Sequence, residues 1–290
     1  MGRGNPGPLP RTDGAGHREP DRARLRDFGT LARPLCRSPT RDPRGAPEGQ
    51  DKGGLRIVTA PVTFFDIGAS LIEGPPKAPA RFIAAALGLD EAQRKRLDRC
   101  LLTTVIETPA DLAAILVSDY QAGRSEAEKA AADVWDTQVT GPSVIEGAAA
   151  LLSSLSGSGR RYGFVSNIWH PYAESFRRLF GPLAASDLTV MSYRVGVAKP
   201  DLAIYRHALA AAGCPPEACT MIGDSYDNDI GPALALGMRT VWLMHRPDKE
   251  RAYLQGVERG ELPRPDLIVP SIAALSVDDV AAPSASLPIR

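Results

Sequence analysis

The chain has 290 residues with 34 basic and 34 acidic side chains, a formal charge of zero, and 43% of it is apolar, enough for the core of one or two domains. Zero net charge argues against a dedicated nucleic-acid binder, which needs a basic surplus to displace counterions. No run approaches the ~18 consecutive apolar residues of a membrane helix. Four sparse cysteines, Cys36, Cys100, Cys214 and Cys219, give neither a disulfide scaffold nor a common zinc-ligand spacing, so the expectation is a reduced, cytoplasmic protein.

Residues 1–50 hold ten arginines, six acids and sixteen Gly or Pro. Such a segment buries too little apolar surface to offset its ordering entropy, so residues 1–54 read as a disordered tail. A natural start nearer Leu55 is a further reading of that tail. The β-branched and aromatic run Ile57–Phe65 then predicts a buried strand, closed by the small-residue turn Asp66-Ile67-Gly68-Ala69-Ser70. From Ala78 the composition turns to Ala, Leu, Glu, Arg and Lys at helical spacing, with helices expected over 80–87, 91–105, 109–122 and 125–139. Pro109 suits a helix start, and Ser125 with Glu128 suits a capping box. Beyond Pro142 strands and helices alternate. The helices are expected at 144–155, 171–180, 201–212, 230–236 and 271–275. The strands are expected at 162–165, 188–191, 220–222, 240–243 and 267–269. This alternation predicts an α/β fold, a doubly wound parallel sheet interrupted by an all-helical insert.

Polar clusters follow three of those strands: Asp66 to Ser70, Ser166-Asn167, and Gly223-Asp224-Ser225-Tyr226-Asp227-Asn228-Asp229. A fourth, Lys199-Pro200-Asp201, opens a helix. Ligands of parallel sheets bind beyond the carboxyl ends of the strands, so clusters far apart in sequence are expected to meet at one rim.

The order and spacing of these clusters resemble the haloacid dehalogenase-like hydrolase superfamily. Its pattern runs strand-Asp-x-Asp-x-Thr/Ser, strand-Ser/Thr, Lys, then strand-Gly-Asp-x-x-x-x-Asp, with a helical cap between the first two motifs. The resemblance covers about residues 56–280. It implies a Rossmann-like core over 55–76 and 142–280, a helical cap over 77–141 and a flexible C-terminus over 281–290. The cap would hinge near Gly74-Pro75-Pro76 and Gly141-Pro142. The resemblance also implies Asp66 as nucleophile, with Lys199 neutralising it. Ser166, Asn167, Ser70 and Lys199 would bind phosphate. Mg²⁺ would be held by Asp66, the Gly68 carbonyl, Asp224 and Asp229. A carboxylate attacking phosphorus splits one hard step into two, and a hard cation between two anions makes the approach feasible.

One position departs from that pattern. The family's phosphatases carry a second Asp two residues after the nucleophile, and this chain has Gly68 there. General acid–base catalysis is worth ~10²–10⁴-fold, so an ester phosphatase without it is expected to be slow unless another group substitutes. His170 and Glu73 are nearest in sequence, although His170 also reads as a structural histidine and Asp227 as a loop acid. The expected activity is Mg²⁺-dependent hydrolysis of a small phosphorylated metabolite. The alternatives are a catalytically weak relative that binds a phosphorylated ligand or protein partner, a 2-haloacid dehalogenase, and a phosphonate hydrolase needing a cap lysine among Lys77, Lys95 and Lys129. No nucleic-acid or membrane partner is expected, and a homodimer is left open.

Overall fold

The computed structural model describes residues 60–281; the expected tail at 1–54, strand residues 57–59 and the C-terminus at 282–290 lie outside the described residues. Six parallel strands form the main sheet, in the order β5-β4-β1-β6-β7-β8. They are β1 (Val62–Phe65), β4 (Arg161–Ser166), β5 (Thr189–Met191), β6 (Cys219–Gly223), β7 (Arg239–Leu243) and β8 (Leu267–Val269). Both faces of β1 are buried, as a central parallel strand requires. Val62 and Phe64 enter one apolar cluster with Val165, Ile204, Tyr205 and Met221. Phe65 enters the other with Phe164, Phe176, Leu152 and Ile222. Helices α5 (Ala148–Gly157) and α6 (His170–Phe180) supply the second cluster, and α8 (Leu202–Ala212) the first.

The chain runs from β1 to one side of the sheet and returns to fill the other, so the strand order reverses around β1. That reversal opens a crevice at the carboxyl ends of β1, β4 and β6, where the polar clusters sit.

Between β1 and β4 come α1 (Pro79–Leu87), α2 (Glu91–Thr103), α3 (Pro109–Tyr120) and α4 (Arg124–Thr140). They share an apolar cluster of their own, into which Trp169 is also packed. Pro109 starts α3 as expected, but the capping boxes are Asp90 with Gln93 and Thr108 with Asp111. The box expected at Ser125 and Glu128 is absent: α4 begins at Arg124 behind Gly123, with no side-chain cap.

Three further expectations need correction. Residues 144–147 are not helical; Val144 ends β3 (Ser143–Val144), which pairs antiparallel with β2 (Ile72–Glu73) and ties the two junctions of the helical insert together, and the helix begins only at Ala148. Residues 226–230 form a wide helical turn before the short α9 (Gly231–Ala235). Residues 271–275 contain only one tight turn, Ile272–Ala274. Three helices were not foreseen: α7 (Ser192–Val195), α10 (Pro247–Glu258) and α11 (Val277–Ala281). Among the described residues, no helix is long and apolar enough to cross a membrane.

Candidate active site

Asp66 directly follows β1, Ser166 ends β4 and Asp224 directly follows β6, on three adjacent strands. The Asp66 N–H donates to Ile222 O at 2.9 Å, which fixes the start of the turn. The turn then folds tightly: Leu71 and Ile72 N–H both donate to Ile67 O, and Ala69 takes a left-handed φ of 58°.

Lys199 joins the carboxylates. Its Nζ donates to Asp66 Oδ1 at 2.6 Å, Asp229 Oδ1 at 2.6 Å and Val165 O at 3.0 Å. All three side chains are buried. Burial alone would lower the lysine's pKa, but the Asp229 and Asp66 carboxylates outweigh it and hold the ammonium protonated. Burial pushes Asp229 up to about 7; Asp66 and Asp224 add to the rise and Lys199 opposes it. Gly223 makes room for this acid. A Cβ there would stand 2.4 Å from Asp229 Cγ, so a larger residue would displace it.

One oxygen each of Asp66, Asp224 and Asp229 lies within 4.8 Å of the others. A buried set of carboxylate oxygens is the donor type that Mg²⁺ takes. Arg246 Nη2 and, at 3.6 Å, Lys249 Nζ share Asp224 Oδ2. The residues present therefore fit a divalent cation, with two protein cations competing for one oxygen.

The expected phosphate ligands divide. Ser166 Oγ is buried and, among the described residues, has no hydrogen-bond partner, so an anion at the rim would satisfy it. Ser70 Oγ lies 3.4 Å from Asp66 Oδ2, also at the rim. Asn167 faces the backbone of Lys199 instead, accepting its N–H at 2.7 Å and donating to its carbonyl at 2.9 Å. That clamp positions the lysine loop.

Of the substitute acids considered from sequence, His170 is turned to other partners, whereas the Glu73 carboxylate is within electrostatic reach of Tyr172 and Arg246. His170 pairs with Glu174 at 3.3 Å and packs on Trp135 and Tyr193. Glu73 is exposed on β2. Lys77 is exposed, and Lys95 and Lys129 pair with Glu91 and Asp133 on the insert's surface. Asp227 is half-buried and outside the carboxylate group.

Besides Lys249, two residues at the site escaped sequence reasoning. Arg246 precedes α10, a helix foreshadowed only by Pro247 at its start and Asp248 and Glu250 in its first turn. Tyr172, on α6, lies beside position 68: a Cβ on Gly68 would be 3.7 Å from its Cε1. No motif contains either residue.

The profile of the family described as haloacid dehalogenase-like hydrolase matches residues 78–237. That span includes Ser166, Lys199, Asp224 and Asp229; Asp66 precedes it. Haloacid dehalogenase-like hydrolase domain-containing protein 3 of Xenopus laevis is 28% identical over 137 residues, 46% of this chain and 53% of that one. The pyrimidine 5'-nucleotidase YjjG of Escherichia coli (strain K12) is 33% identical over 109 residues, 37% and 48% of the two chains. The chain thus matches about half the length of these relatives. A HAD family hydrolase from Deinococcus radiodurans R1, solved with bound phosphate and sodium, shares the fold with a TM-score of 0.50. Its identity is 21%, and the match covers 78% of this chain and 100% of that one.

Proposed function

The chain belongs to the haloacid dehalogenase-like hydrolase family, and on that premise we propose that it hydrolyses a small phosphorylated compound through a covalent aspartyl intermediate on Asp66, with Mg²⁺ as cofactor. One observation carries the reading: Lys199 held at 2.6 Å by both Asp66 and Asp229, with Asp224 converging on the same point. Relatives named as phosphatases, such as the phosphoserine phosphatase of Thermus thermophilus, 41% identical over 56 residues, agree with it.

An Asp66 carboxylate oxygen attacks phosphorus as the bond from phosphorus to the bridging oxygen breaks. Water then attacks the phosphorus of the aspartyl phosphate, releasing inorganic phosphate and the free carboxylate, with the Lys199 ammonium beside it balancing charge throughout. Ser166 Oγ donates to a phosphoryl oxygen. Asp66, the Gly68 carbonyl, Asp224 and Asp229 would hold Mg²⁺, which when bound draws negative charge from the phosphoryl oxygens. Asn167 keeps the Lys199 loop in place throughout. Helices α1 to α4 act as the cap, hinged where β2 and β3 pair, and they set substrate choice.

Gly68 limits the second half of the reaction as well as the first. With no carboxylate there, nothing at that position protonates the leaving oxygen, and nothing later deprotonates water. The structure permits the residue to be restored, because a Cβ at position 68 meets only ordinary contacts and its φ lies outside the left-handed region. Gly68→Asp should therefore fold with an unchanged thermal midpoint. Across alkyl, aryl and acyl phosphates assayed with Mg²⁺ and with chelator, it should raise kcat/KM, which reports the phosphorylation half alone, roughly 10- to 100-fold for alkyl phosphates and leave it little changed for acyl phosphates, while kcat rises for both as water attack quickens. A folded variant with no such leaving-group-dependent gain would show that acid–base catalysis is not what this site lacks. Phosphate release that ignores the chelator would remove Mg²⁺ from the reading.

A further inference from the structure

Two glycines enclose the ring of Tyr172. On the side of the nucleophile's turn, a Cβ on Gly68 would lie 3.7 Å from Cε1 and 3.9 Å from the hydroxyl oxygen. On the side of the insert's junction, a Cβ on Gly74 would lie 2.9 Å from that same oxygen, closer than real Cβ atoms come. The phenol thus takes the space a side chain at 74 would need, while at 68 it lies in ordinary contact beside the place a side chain would occupy. Its ring is half-buried between two apolar clusters, the one under the sheet and the one among α1 to α4. This places it where the core meets the insert.

The hydroxyl donates to Ile72 O at 3.3 Å, beyond the usual range for an O–H···O bond, so its proton is weakly held there. A phenol holds its proton at neutral pH, so the hydroxyl remains a donor. An Asp side chain at position 68 would extend its carboxyl into the region this hydroxyl borders.

We propose that Tyr172 is the leaving-group contact of the site: its hydroxyl exchanges the Ile72 carbonyl for the bridging oxygen of the phosphorylated substrate. It donates a hydrogen bond there without giving up its proton. A neutral donor of this kind supports departure of oxygen less than a carboxylic acid does. The site is accordingly suited to substrates whose leaving oxygen needs little protonation, such as acyl, enol and aryl phosphates. Because Tyr172 also packs against Gly74, movement of the insert junction shifts this donor. The inference rests on Asp66 acting as nucleophile.

The test is a series of aryl phosphates of graded leaving-group acidity, with kcat/KM, which reports the step in which the leaving group departs, compared between wild type and Tyr172→Phe. The variant keeps the ring, and its thermal midpoint should stay within about 2 °C of wild type. The loss of one hydrogen bond that strengthens as the oxygen departs should cost about tenfold for phenyl phosphate and less than about twofold for 4-nitrophenyl phosphate. A deficit of equal size across the series, or none, overturns the proposal. A second arm measures affinity for phenyl phosphate against benzylphosphonate, whose methylene cannot accept a hydrogen bond, in the Asp66→Asn background. With Tyr172 in place the protein should favour the ester, and adding Tyr172→Phe should abolish that preference; a preference that survives also overturns it. Failure of the nucleophile assignment has a separate signature: equal turnover by wild type and Asp66→Asn.

Discussion

Asp66→Asn should lose roughly 10⁴-fold or more of its phosphate-releasing activity, measured by inorganic phosphate appearing from an activated ester. Asparagine keeps the shape of the side chain, so the loss isolates the anionic oxygen. The position cannot act only by holding Lys199, because Asp229 binds the same ammonium at an equal 2.6 Å and would retain it. A protein in which Asp66 merely closed a turn would behave differently. The turn is held by backbone bonds from Leu71, Ile72 and Asp66 itself, none of which needs a carboxylate. Under that reading activity would persist, and the nucleophile would have to be sought elsewhere.

Lys199→Met should be the most destabilising change at the site. The Lys199 side chain is 2% exposed, and its ammonium is bonded to two buried carboxylates and the Val165 carbonyl. Removing it leaves Asp66 and Asp229 facing each other with no cation between them. Breaking a buried ion pair from one side costs about 3–5 kcal/mol. For a domain of this size each kcal/mol moves the thermal midpoint by about 2–4 °C, so the expected loss is roughly 6–20 °C. Saturating Mg²⁺ should restore part of it, because an ion bound to the native carboxylates stabilises that state alone. A midpoint within about 2 °C of wild type would mean that the lysine is not the charge that holds these acids.

Much of this arrangement was legible in the sequence. The strands that carry chemistry are nearly continuous apolar runs ending in a polar cluster, as in Phe64-Phe65-Asp66 and Ile222-Gly223-Asp224. The topology of a parallel sheet then brings those ends together without further information. The pairing of β2 with β3 was not legible: each strand has two residues, too few for an alternation, and Ser143-Val144 adjoins a helical pattern. Helix α10 hid for another reason. Its apolar face is short, with Tyr253, Leu254 and Val257 packed only partly buried on one small cluster, and it stands among charged residues, too brief a pattern to reveal a helix. Its invisibility concealed Arg246 and Lys249 as the cations on Asp224. Tyr172 lay in a predicted helix, but nothing in a one-dimensional pattern places its ring against Gly68 and Gly74, which are about a hundred residues earlier. The Ser125 box failed because the local motif was present while the chain entered α4 two residues sooner, with Gly123 at the cap.

Gly68 gives the central claim a direct test. If Asp66 takes the phosphoryl group and no carboxylate at position 68 activates water, the second step is slow and the phosphorylated enzyme accumulates. Wild type mixed with an acyl or aryl phosphate and quenched in acid within one turnover should carry one phosphoryl group on the peptide spanning residues 62–70, localised to Asp66 by mass spectrometry. A burst of leaving group close to one per chain should precede the slower steady rate. Release of phosphate with no phosphoryl group on Asp66, or with the group on another residue, would contradict the account.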